Sequence, residues 1–476
     1  MRVLLITPSD HSQGFEYVYA GRENLGVEYL LSALRLAGIE AFSYNVNIQN
    51  GISLEDMASN ADLIGFSLPF WEYRKQYVDF VEDISRISRA KIIAGGHAAT
   101  IGVEYFLREC PSLSGIVMGE GEETIIHLAK ELSANGNVKK LSGFYTRDGF
   151  EKRHLGSIDA LPFPDRDELG IILRQERSIK EAYVSTTRGC HNACSFCSIP
   201  PYYKLAHGPR WRERSVESVC GELEDLLSKY PKLDSISFVD DNFLGFNPNH
   251  RERGLLIAKK LHELNPNIAF EITCRVDSVD YELFRRLAEY GLSGVYLGIE
   301  SGVQRILDLF KKNTTVEKNL KAIETIAQLG LVCDIGFIMF CPTITLDEVE
   351  ANLFFLKAII ERYGVYVHPA AVFRNLKTYP TDLGVSSTES FGDSPDRAPD
   401  KITLMYLTMN SIWKTTFEAD FLRLEYESIF PTMQEKTDIS GSIEFTTKMI
   451  NIGLSIIKEL RKHDKITEKE LEMVIG

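Results

Sequence analysis

The sequence predicts an α/β protein with an N-terminal doubly wound, Rossmann-like sheet, then a partial or full (β/α) barrel, and a small helical C-terminal cap. Three observations predict this fold class. Short apolar runs alternate with helical patterns over residues 1–140, the alternation returns over residues 179–373, and turn-rich sequence followed by helical patterns occupies residues 374–476. Alternating strands and helices favour parallel sheets that bind ligands at the carboxyl ends of their strands.

The first segment contains four strand candidates, each followed by a helical pattern. The predicted strands are Val3–Ile6, Leu63–Leu68, Lys91–Ala94 and Ile116–Met118, and the predicted helices are Gly26–Ala37, Tyr73–Ile87, Val103–Arg108 and Glu123–Leu132. Glycine or polar residues stand at three of the strand ends, namely Ser67, Gly95-Gly96-His97 and Gly119-Glu120. We therefore expect a ligand site at this edge of the sheet.

A connector with Pro162 and Pro164, residues 141–178, precedes the second alternating series. The barrel strands predicted there are Ala182–Thr186, Ser235–Val239, Ala269–Thr273, Gly294–Leu297 and Val332–Met339, with Val365–Val372 as a weaker sixth. The predicted cap helices are Thr403–Ile429, Ser442–Leu460 and Thr467–Ile475. The cap's aromatic residues, which either line a lid over a substrate or fill the cap's own core, are Tyr379, Tyr406, Trp413 and Tyr426.

Composition and charge exclude several classes of protein. The 476 residues carry a formal net charge of -14 with a pI near 5.3, so the chain repels phosphate backbones and we expect no nucleic-acid partner. The short basic cluster from Lys204 to Arg214 is interpreted as a solvated loop. No window approaches the roughly 20 apolar residues of a membrane span, and the N-terminal apolar run is too brief for a signal peptide. We expect a cytoplasmic protein without a membrane partner.

Three of the eight cysteines, Cys190, Cys194 and Cys197, have a CxxxCxxC spacing after a predicted strand. Three thiolates on one loop can bind three irons of a 4Fe-4S cluster and leave the fourth iron open, whereas structural zinc usually takes four closed ligands. The alternative is a zinc site completed by His191 or His207, although the chain has no second CxxC pair. The other five cysteines are interpreted as core residues.

The triplet together with Phe196 resembles the CxxxCxΦC loop of the radical S-adenosylmethionine (SAM) superfamily, over roughly residues 180–365. The resemblance implies that the cysteines hold the cluster, that Phe196 packs near the SAM adenine, and that SAM is cleaved to a 5′-deoxyadenosyl radical. It also implies an external electron donor such as flavodoxin or ferredoxin.

Three further positions resemble strand ends of the same family: Asp241, Arg275 and Glu300. A carboxylate such as Glu300 could hydrogen-bond the ribose hydroxyls or the methionine ammonium of SAM, and Arg275 could pair with the SAM carboxylate. The alternative is that these residues only pair or cap at the barrel rim.

The first 140 residues resemble the cobalamin-binding domain of one large class of radical SAM enzymes. The matching residues include Ser67, Gly95, Gly96, His97, Gly119 and Glu120, where glycines allow the backbone to approach a corrin edge or nucleotide tail. The alternative is a sheet kept as scaffold without a corrinoid. We do not expect His11 to bind cobalt, because its Asp-His loop is one residue shorter than the cobalt-binding pattern.

The resemblance implies cobalamin-dependent methylation of an unactivated carbon of a small-molecule substrate. One alternative is rearrangement, cyclisation or elimination by the same cofactors without methyl transfer. A transfer-RNA methylthiotransferase would need a further cysteine triad in the front segment, where Cys110 stands alone. The remaining alternative is a non-catalytic corrinoid carrier, against which the cysteine triplet argues.

Overall fold

A computed structural model of the chain describes residues 1–8, 22–48, 51–136, 138, 140–174, 180–341, 343–367, 401–412, 440–463 and 467–475. The described residues form two compact units. The first contains Met1–Val184 and Ser198–Ser218, and the second contains Ser185–Cys197 and the described residues from Val219 onward. Among the described residues, no helix is long and apolar enough to cross a membrane.

Strands and short helices alternate through the part of the chain that ends at residue 174. The strands are β1 (Arg2–Thr7), β2 (Glu40–Asn45), β3 (Leu63–Ser67), β4 (Lys91–Gly95), β5 (Leu113–Val117) and β6 (Phe144–Tyr145). The helices are α1 (Leu25–Leu36), α2 (Leu54–Ser59), α3 (Arg74–Ile87), α4 (His97–Ile101), α5 (Val103–Glu109), α6 (Glu122–Asn135) and α7 (Asp167–Ile172). One-turn 3₁₀ helices cover Trp71–Tyr73 and Ile158–Ala160.

The first sheet has the strand order β2-β1-β3-β4-β5-β6. All neighbouring strands are parallel except β5 and β6, which pair antiparallel. Alternate residues of β1 face opposite sides, because Leu4 packs in one apolar cluster with helices α3 and α5 and Val3 packs in a second with α1 and α6. The predicted doubly wound sheet is confirmed.

The rest of the described chain continues the alternation and ends in helices. The strands are β7 (Glu181–Val184), β8 (Thr187–Gly189), β9 (Trp211–Glu213), β10 (Ser235–Phe238), β11 (Ala269–Cys274), β12 (Leu292–Glu300) and β13 (Val332–Phe337). The helices are α8 (Ile199–Lys204), α9 (Val216–Lys229), α10 (Pro248–Leu264), α11 (Tyr281–Glu289), α12 (Gln304–Leu309), α13 (Val316–Gln328), α14 (Leu346–Tyr363), α15 (Lys401–Ile412), α16 (Ser440–Lys462) and α17 (Glu468–Ile475), with a 3₁₀ turn at Val276–Ser278.

The second large sheet has the order β13-β12-β11-β10-β7, and the pairs from β10 to β13 are parallel. Its strands are rich in fully buried residues such as Phe238, Phe270 and Phe337, as expected of a parallel sheet covered by helices. Helix α14 begins with a capping box between Thr345 and Glu348. These five strands with helices between them confirm the predicted strand and helix series of the barrel.

The structure adds elements that were not predicted and shortens one that was. Strand β2 and helix α2 were not predicted, because Glu40–Asn45 is a half-buried edge strand without a continuous apolar run. The predicted sixth strand is reduced, in its described part, to a single bridge between Asp334 and Tyr366. His11, Tyr379, Trp413 and Tyr426 lie outside the described residues.

Candidate active site

The loop of residues 190–197, here called the cysteine loop, follows β8 directly. Gly189 at the end of β8 has a φ of 88°, a left-handed conformation that favours glycine and turns the chain into the loop. Cys190, Cys194 and Cys197 are free thiols, and each is partly exposed. Burial raises the pKa of Cys190, whereas the Asn192 backbone N–H and the charge of Arg275 lower it. The thiols are therefore accessible to a bound group.

The chain before the cysteine loop is held by a buried carboxylate. Asp240 Oδ1 accepts hydrogen bonds from the backbone N–H groups of Thr186 at 2.7 Å and Thr187 at 2.6 Å, and its Oδ2 accepts one from the Thr186 hydroxyl at 2.8 Å. Arg253 donates to the Thr186 carbonyl at 2.8 Å. Burial raises the pKa of Asp240, and the hydrogen bonds from Thr187 and Thr186 oppose that shift. Asp240 therefore fixes the position at which the loop begins.

Glu300 ends β12 with a φ of 66°, which is unusual for a residue other than glycine. Its Oε1 lies 2.9 Å from the Lys312 ammonium, and both side chains are buried. The Lys312 ammonium also lies 5.6 Å from the centre of the Phe196 ring, which packs edge-on against Phe310 at 5.2 Å. Lys312 thus connects Phe196 of the cysteine loop with Glu300, the carboxylate predicted to contact the ribose or the ammonium of SAM.

Arg275 follows β11 and contacts both the cysteine loop and Lys312. Its Nε donates to Asp277 Oδ1 at 3.0 Å, its Nη2 donates to the Lys312 carbonyl at 2.8 Å, and its Nη1 lies 3.8 Å from Cys194 Sγ. Asp241 follows β10, is exposed, and accepts a hydrogen bond from the backbone N–H of Gly189. The predicted SAM contacts Asp241, Arg275 and Glu300 thus lie at the carboxyl ends of neighbouring strands, and Phe196 lies on the cysteine loop with the three cysteines.

In the first unit, polar side chains meet where β1 and β3 end. Asn24 caps helix α1, and its Nδ2 donates to Thr7 Oγ1 at 3.0 Å and to Ser67 Oγ at 3.1 Å. Strands β1 and β3 are neighbours, but the chain leaves β1 for β2 on the other side. Doubly wound sheets bind ligands at such a point, where the strand order reverses.

The run Gly95-Gly96-His97 leaves β4 at the same edge. Gly96 has a φ of 89°, and a Cβ there would lie 2.9 Å from both the backbone N and O of Leu68, so only glycine fits. His97 begins α4, and its Nε2 lies 2.7 Å from Ser198 Oγ while its ring stacks on Tyr202 at 5.1 Å. The imidazole therefore packs against the segment that follows the cysteine loop in sequence.

The run Gly119-Glu120 follows β5. Gly119 has a φ of 70°, its N–H donates to Thr100 Oγ1 at 3.1 Å, and a Cβ added to it would meet nothing within 4 Å. Open space beside this backbone is what a flat ligand needs. Glu120 is 9% exposed, pairs with Arg212, and lies 3.7 Å from the Arg153 guanidinium. Its charge is thus already balanced within the unit.

The structure brings the predicted residues together in two groups, one in each unit. Ser67, Gly95, Gly96, His97, Gly119 and Glu120 lie along one edge of the first sheet. Asp240, Lys312 and Asn192 were not predicted as functional residues. Of these three, only Asp240 could have been found from the sequence, because it stands next to the predicted Asp241 after a strand.

The donor set fits an iron-sulfur cluster better than a single zinc ion. Across the described residues, no three His, Cys, Asp or Glu side chains are arranged to hold one metal ion. His191 packs against Phe246 at 4.8 Å, and His207 packs against His154 at 4.8 Å. In a cubane cluster each thiolate binds a different iron, so the three sulfurs do not converge on one point.

Comparisons with known proteins identify two domains in the chain. Residues 184–356 match the radical SAM superfamily, and residues 18–129 match the B12 binding domain. An uncharacterised methyltransferase of Pyrococcus horikoshii is 28% identical over 386 residues, which is 77% of this chain and 80% of that protein. The anaerobic magnesium-protoporphyrin IX monomethyl ester cyclase of Cereibacter sphaeroides is 26% identical over 379 residues, which is 74% of this chain and 58% of that protein.

A solved structure shares the fold. The cobalamin-dependent SAM radical enzyme OxsB, with aqua-cobalamin and SAM bound, has a TM-score of 0.68 and 20% identity, covering 100% of this chain and 83% of that chain. The chain therefore belongs to the radical SAM superfamily and is an enzyme that carries a B12-binding domain ahead of its radical SAM domain, with SAM, a 4Fe-4S cluster and cobalamin as its cofactors.

Proposed function

We propose that this enzyme transfers a methyl group to an unactivated carbon of a small-molecule substrate in a cobalamin-dependent radical SAM reaction. The observation that carries the proposal is the presence of both domains in one chain, with accessible thiols in one and open space beside Gly119 in the other. When bound, SAM and the cluster supply a 5′-deoxyadenosyl radical, and cobalamin supplies the methyl group.

The residues of the second unit have distinct proposed roles. Cys190, Cys194 and Cys197 hold the cluster, with one iron left open for the amino and carboxylate groups of SAM. Phe196 packs near the adenine, and Asp241 and Glu300 accept hydrogen bonds from SAM, while Arg275 pairs with its carboxylate. The buried ion pair with Lys312 holds the Glu300 carboxylate in place for this contact.

The residues of the first unit provide a cobalamin site in the proposal. Gly119, which has open space beside it, lets the backbone approach the corrinoid, Gly95 and Gly96 shape the neighbouring strand end through the close contact of Gly96 with Leu68, and Ser67 offers a hydroxyl at the end of β3. His97 and Glu120 border this edge of the sheet. Their contacts with Ser198 and Arg212 keep the border of the proposed site in place. The electron donor is proposed to be a flavodoxin or a ferredoxin.

Replacing the cysteines one at a time tests the cluster site. We expect Cys190→Ala, Cys194→Ala and Cys197→Ala to lose iron and sulfide after anaerobic reconstitution and to stop release of 5′-deoxyadenosine from SAM. Cys220→Ala is the matched control, because Cys220 is a buried cysteine of helix α9 outside the loop. A triplet variant that retains full SAM cleavage would contradict the assignment.

Methyl transfer is tested with SAM that carries a deuterated methyl group. The product of a candidate substrate should gain the mass of one labelled methyl, and the gain should require added cobalamin. The cyclase relative favours one second candidate, which is ring formation without methyl transfer. A product without the label, formed together with 5′-deoxyadenosine, would establish that candidate and overturn methylation.

A further inference from the structure

A second loop, residues 309–313 and here called the clamp loop, is hydrogen-bonded to the cysteine loop. This clamp loop offers backbone carbonyls as acceptors, because Ser195 N–H donates to the Phe310 carbonyl at 2.9 Å and Ser195 Oγ donates to the Leu309 carbonyl at 3.0 Å. Lys311 and Asn313 have φ values of 50° and 57°, so the clamp loop keeps a left-handed backbone at two residues other than glycine. Such backbone is retained only where surrounding contacts enforce it.

Asn192 connects the clamp loop to a cysteine sulfur. Its Nδ2 donates to Cys194 Sγ at 3.4 Å and to the Lys312 carbonyl at 3.3 Å, while its Oδ1 accepts from Asn313 Nδ2 at 3.1 Å. A carbonyl can only accept, so the Lys312 carbonyl fixes which end of the amide is the NH₂ group. The amide is thereby oriented with a donor toward the sulfur.

Arg275 supplies a second side-chain donor to the same sulfur. Its Nη1 lies 3.8 Å from Cys194 Sγ, and its Nη2 shares the Lys312 carbonyl with Asn192. Arg275 is 6% exposed, so water screens its charge weakly. Cys194 thus receives one neutral and one charged donor, both oriented by the same carbonyl.

Hydrogen bonds to cluster sulfurs are one of the means by which a protein sets a cluster's reduction potential. Reduction adds an electron and makes the sulfurs more negative. Donors aimed at a thiolate therefore stabilise the reduced form more than the oxidised form, and they raise the potential. For SAM cleavage this decides how readily an external donor can reduce the cluster.

We propose that Asn192, together with Arg275, is a positioning residue that raises the reduction potential of the cluster by hydrogen bonding to Cys194. The proposal rests on the proposed function, because it takes the cluster to be held by the three cysteines. It assigns to Asn192 a role that spacing alone does not show. Ser195 differs, since its two bonds to the clamp loop involve no sulfur.

The test is a redox titration of the reconstituted full-length enzyme, followed by electron paramagnetic resonance of the reduced cluster. Asn192→Ala should shift the midpoint potential to more negative values, and Asn192→Asp should shift it further because a carboxylate replaces the donor. Asn313→Ala removes the hydrogen bond to Asn192 Oδ1 and leaves the Lys312 carbonyl alone to hold the amide, so a smaller shift in the same direction is expected. Ser195→Ala is the matched control for loosening the loop and should leave the potential near that of the wild type.

Iron and sulfide contents, measured first, separate this proposal from the proposed function. A wild-type enzyme that takes up no cluster would overturn both. An intact cluster whose potential is unchanged in Asn192→Ala, or equally shifted in Ser195→Ala, would overturn only the role of Asn192. If Asn192→Ala does not hold a cluster, the midpoint potential of Asn313→Ala is the deciding measurement. An unshifted potential in Asn313→Ala contradicts the proposal.

Discussion

The Lys312 ammonium lies 2.9 Å from Glu300 Oε1, and the two side chains are 5% and 8% exposed. Gly298 makes room for this pair, because a Cβ there would come within 2.5 Å of Lys312 Nζ and 2.7 Å of Glu300 Oε1. A buried ion pair costs desolvation energy, and removal of one partner leaves the other charge uncompensated. The pair is thus a sensitive point beside the cysteine loop.

Lys312→Met should destabilise the second unit by about 3–5 kcal/mol, the cost typical of breaking a buried pair. It should also weaken SAM binding, because Glu300 loses the ion pair that holds its carboxylate in place. Anaerobic urea unfolding and equilibrium dialysis of SAM measure the two effects. The double variant Lys312→Met/Glu300→Gln should regain part of the stability without regaining SAM affinity. Equal stability of the single and double variants would contradict the account of the pair.

Gly96→Ala should disrupt the edge of the first sheet. Its φ of 89° strains any L residue, and its Cβ would collide with the Leu68 backbone at 2.9 Å. Gly136→Ala is the matched control, because Gly136 has a φ of 67° but open space around it. We expect the free energy of unfolding to fall by roughly 1–2 kcal/mol in the control, from the backbone conformation alone, and to fall further in Gly96→Ala. Thermal unfolding and cobalamin binding measure the difference, and equal losses would exclude the collision.

The sequence predicts the sheets well where strands are continuous apolar runs, as in β1, β3 and β4. It does not predict β2, because Ala41 and Phe42 stand among polar residues and the strand forms the edge of the sheet. An edge strand is specified by its pairing with β1, which periodicity within one short segment does not contain.

The candidate site likewise contains residues that a local pattern predicts and residues that only the fold brings together. The cysteine triplet is predictable because its spacing is local. Asn192 and Lys312 meet across 120 residues, so no local pattern reports that contact. Asp240 and Asp241 are adjacent carboxylates that follow β10, and only the contacts with Thr186 and Thr187, more than 50 residues away, single out Asp240 as the anchor.

Asp240→Ala should therefore have a larger effect than Asp241→Ala on the stability of the second unit. The first change leaves two backbone N–H groups and the Thr186 hydroxyl without their acceptor. Unsatisfied buried donors cost roughly 1–3 kcal/mol each, so we expect a loss of at least about 3 kcal/mol and a lower iron content. Urea unfolding and iron analysis give the result. Asp241→Ala, in which a single hydrogen bond from the Gly189 N–H is lost, should cost less stability, and the reverse order would contradict the anchoring role of Asp240.

Two buried carboxyls of the first unit should make its stability depend on pH. Burial raises the pKa of Glu28 to about 8, with the charge of Glu168 adding to the shift, and burial raises the pKa of Glu168 to about 7, both from 4.5. The folded chain therefore holds protons that the unfolded chain releases between about pH 4.5 and 8. The free energy of unfolding should fall as pH rises through this window and level off above it.

Glu28→Gln should flatten that slope, because the residue no longer exchanges a proton. The readout is the slope of the urea unfolding midpoint from pH 5 to pH 9. The slope is used rather than the stability at one pH, because Glu28 also accepts hydrogen bonds from the N–H groups of Asp167 and Glu168, each at 2.9 Å, and the substitution weakens them at every pH. Glu123→Gln is the control, because Glu123 is exposed on helix α6 and its replacement should leave the slope unchanged. Parallel curves for the wild type and Glu28→Gln would show that Glu28 is not the group that titrates.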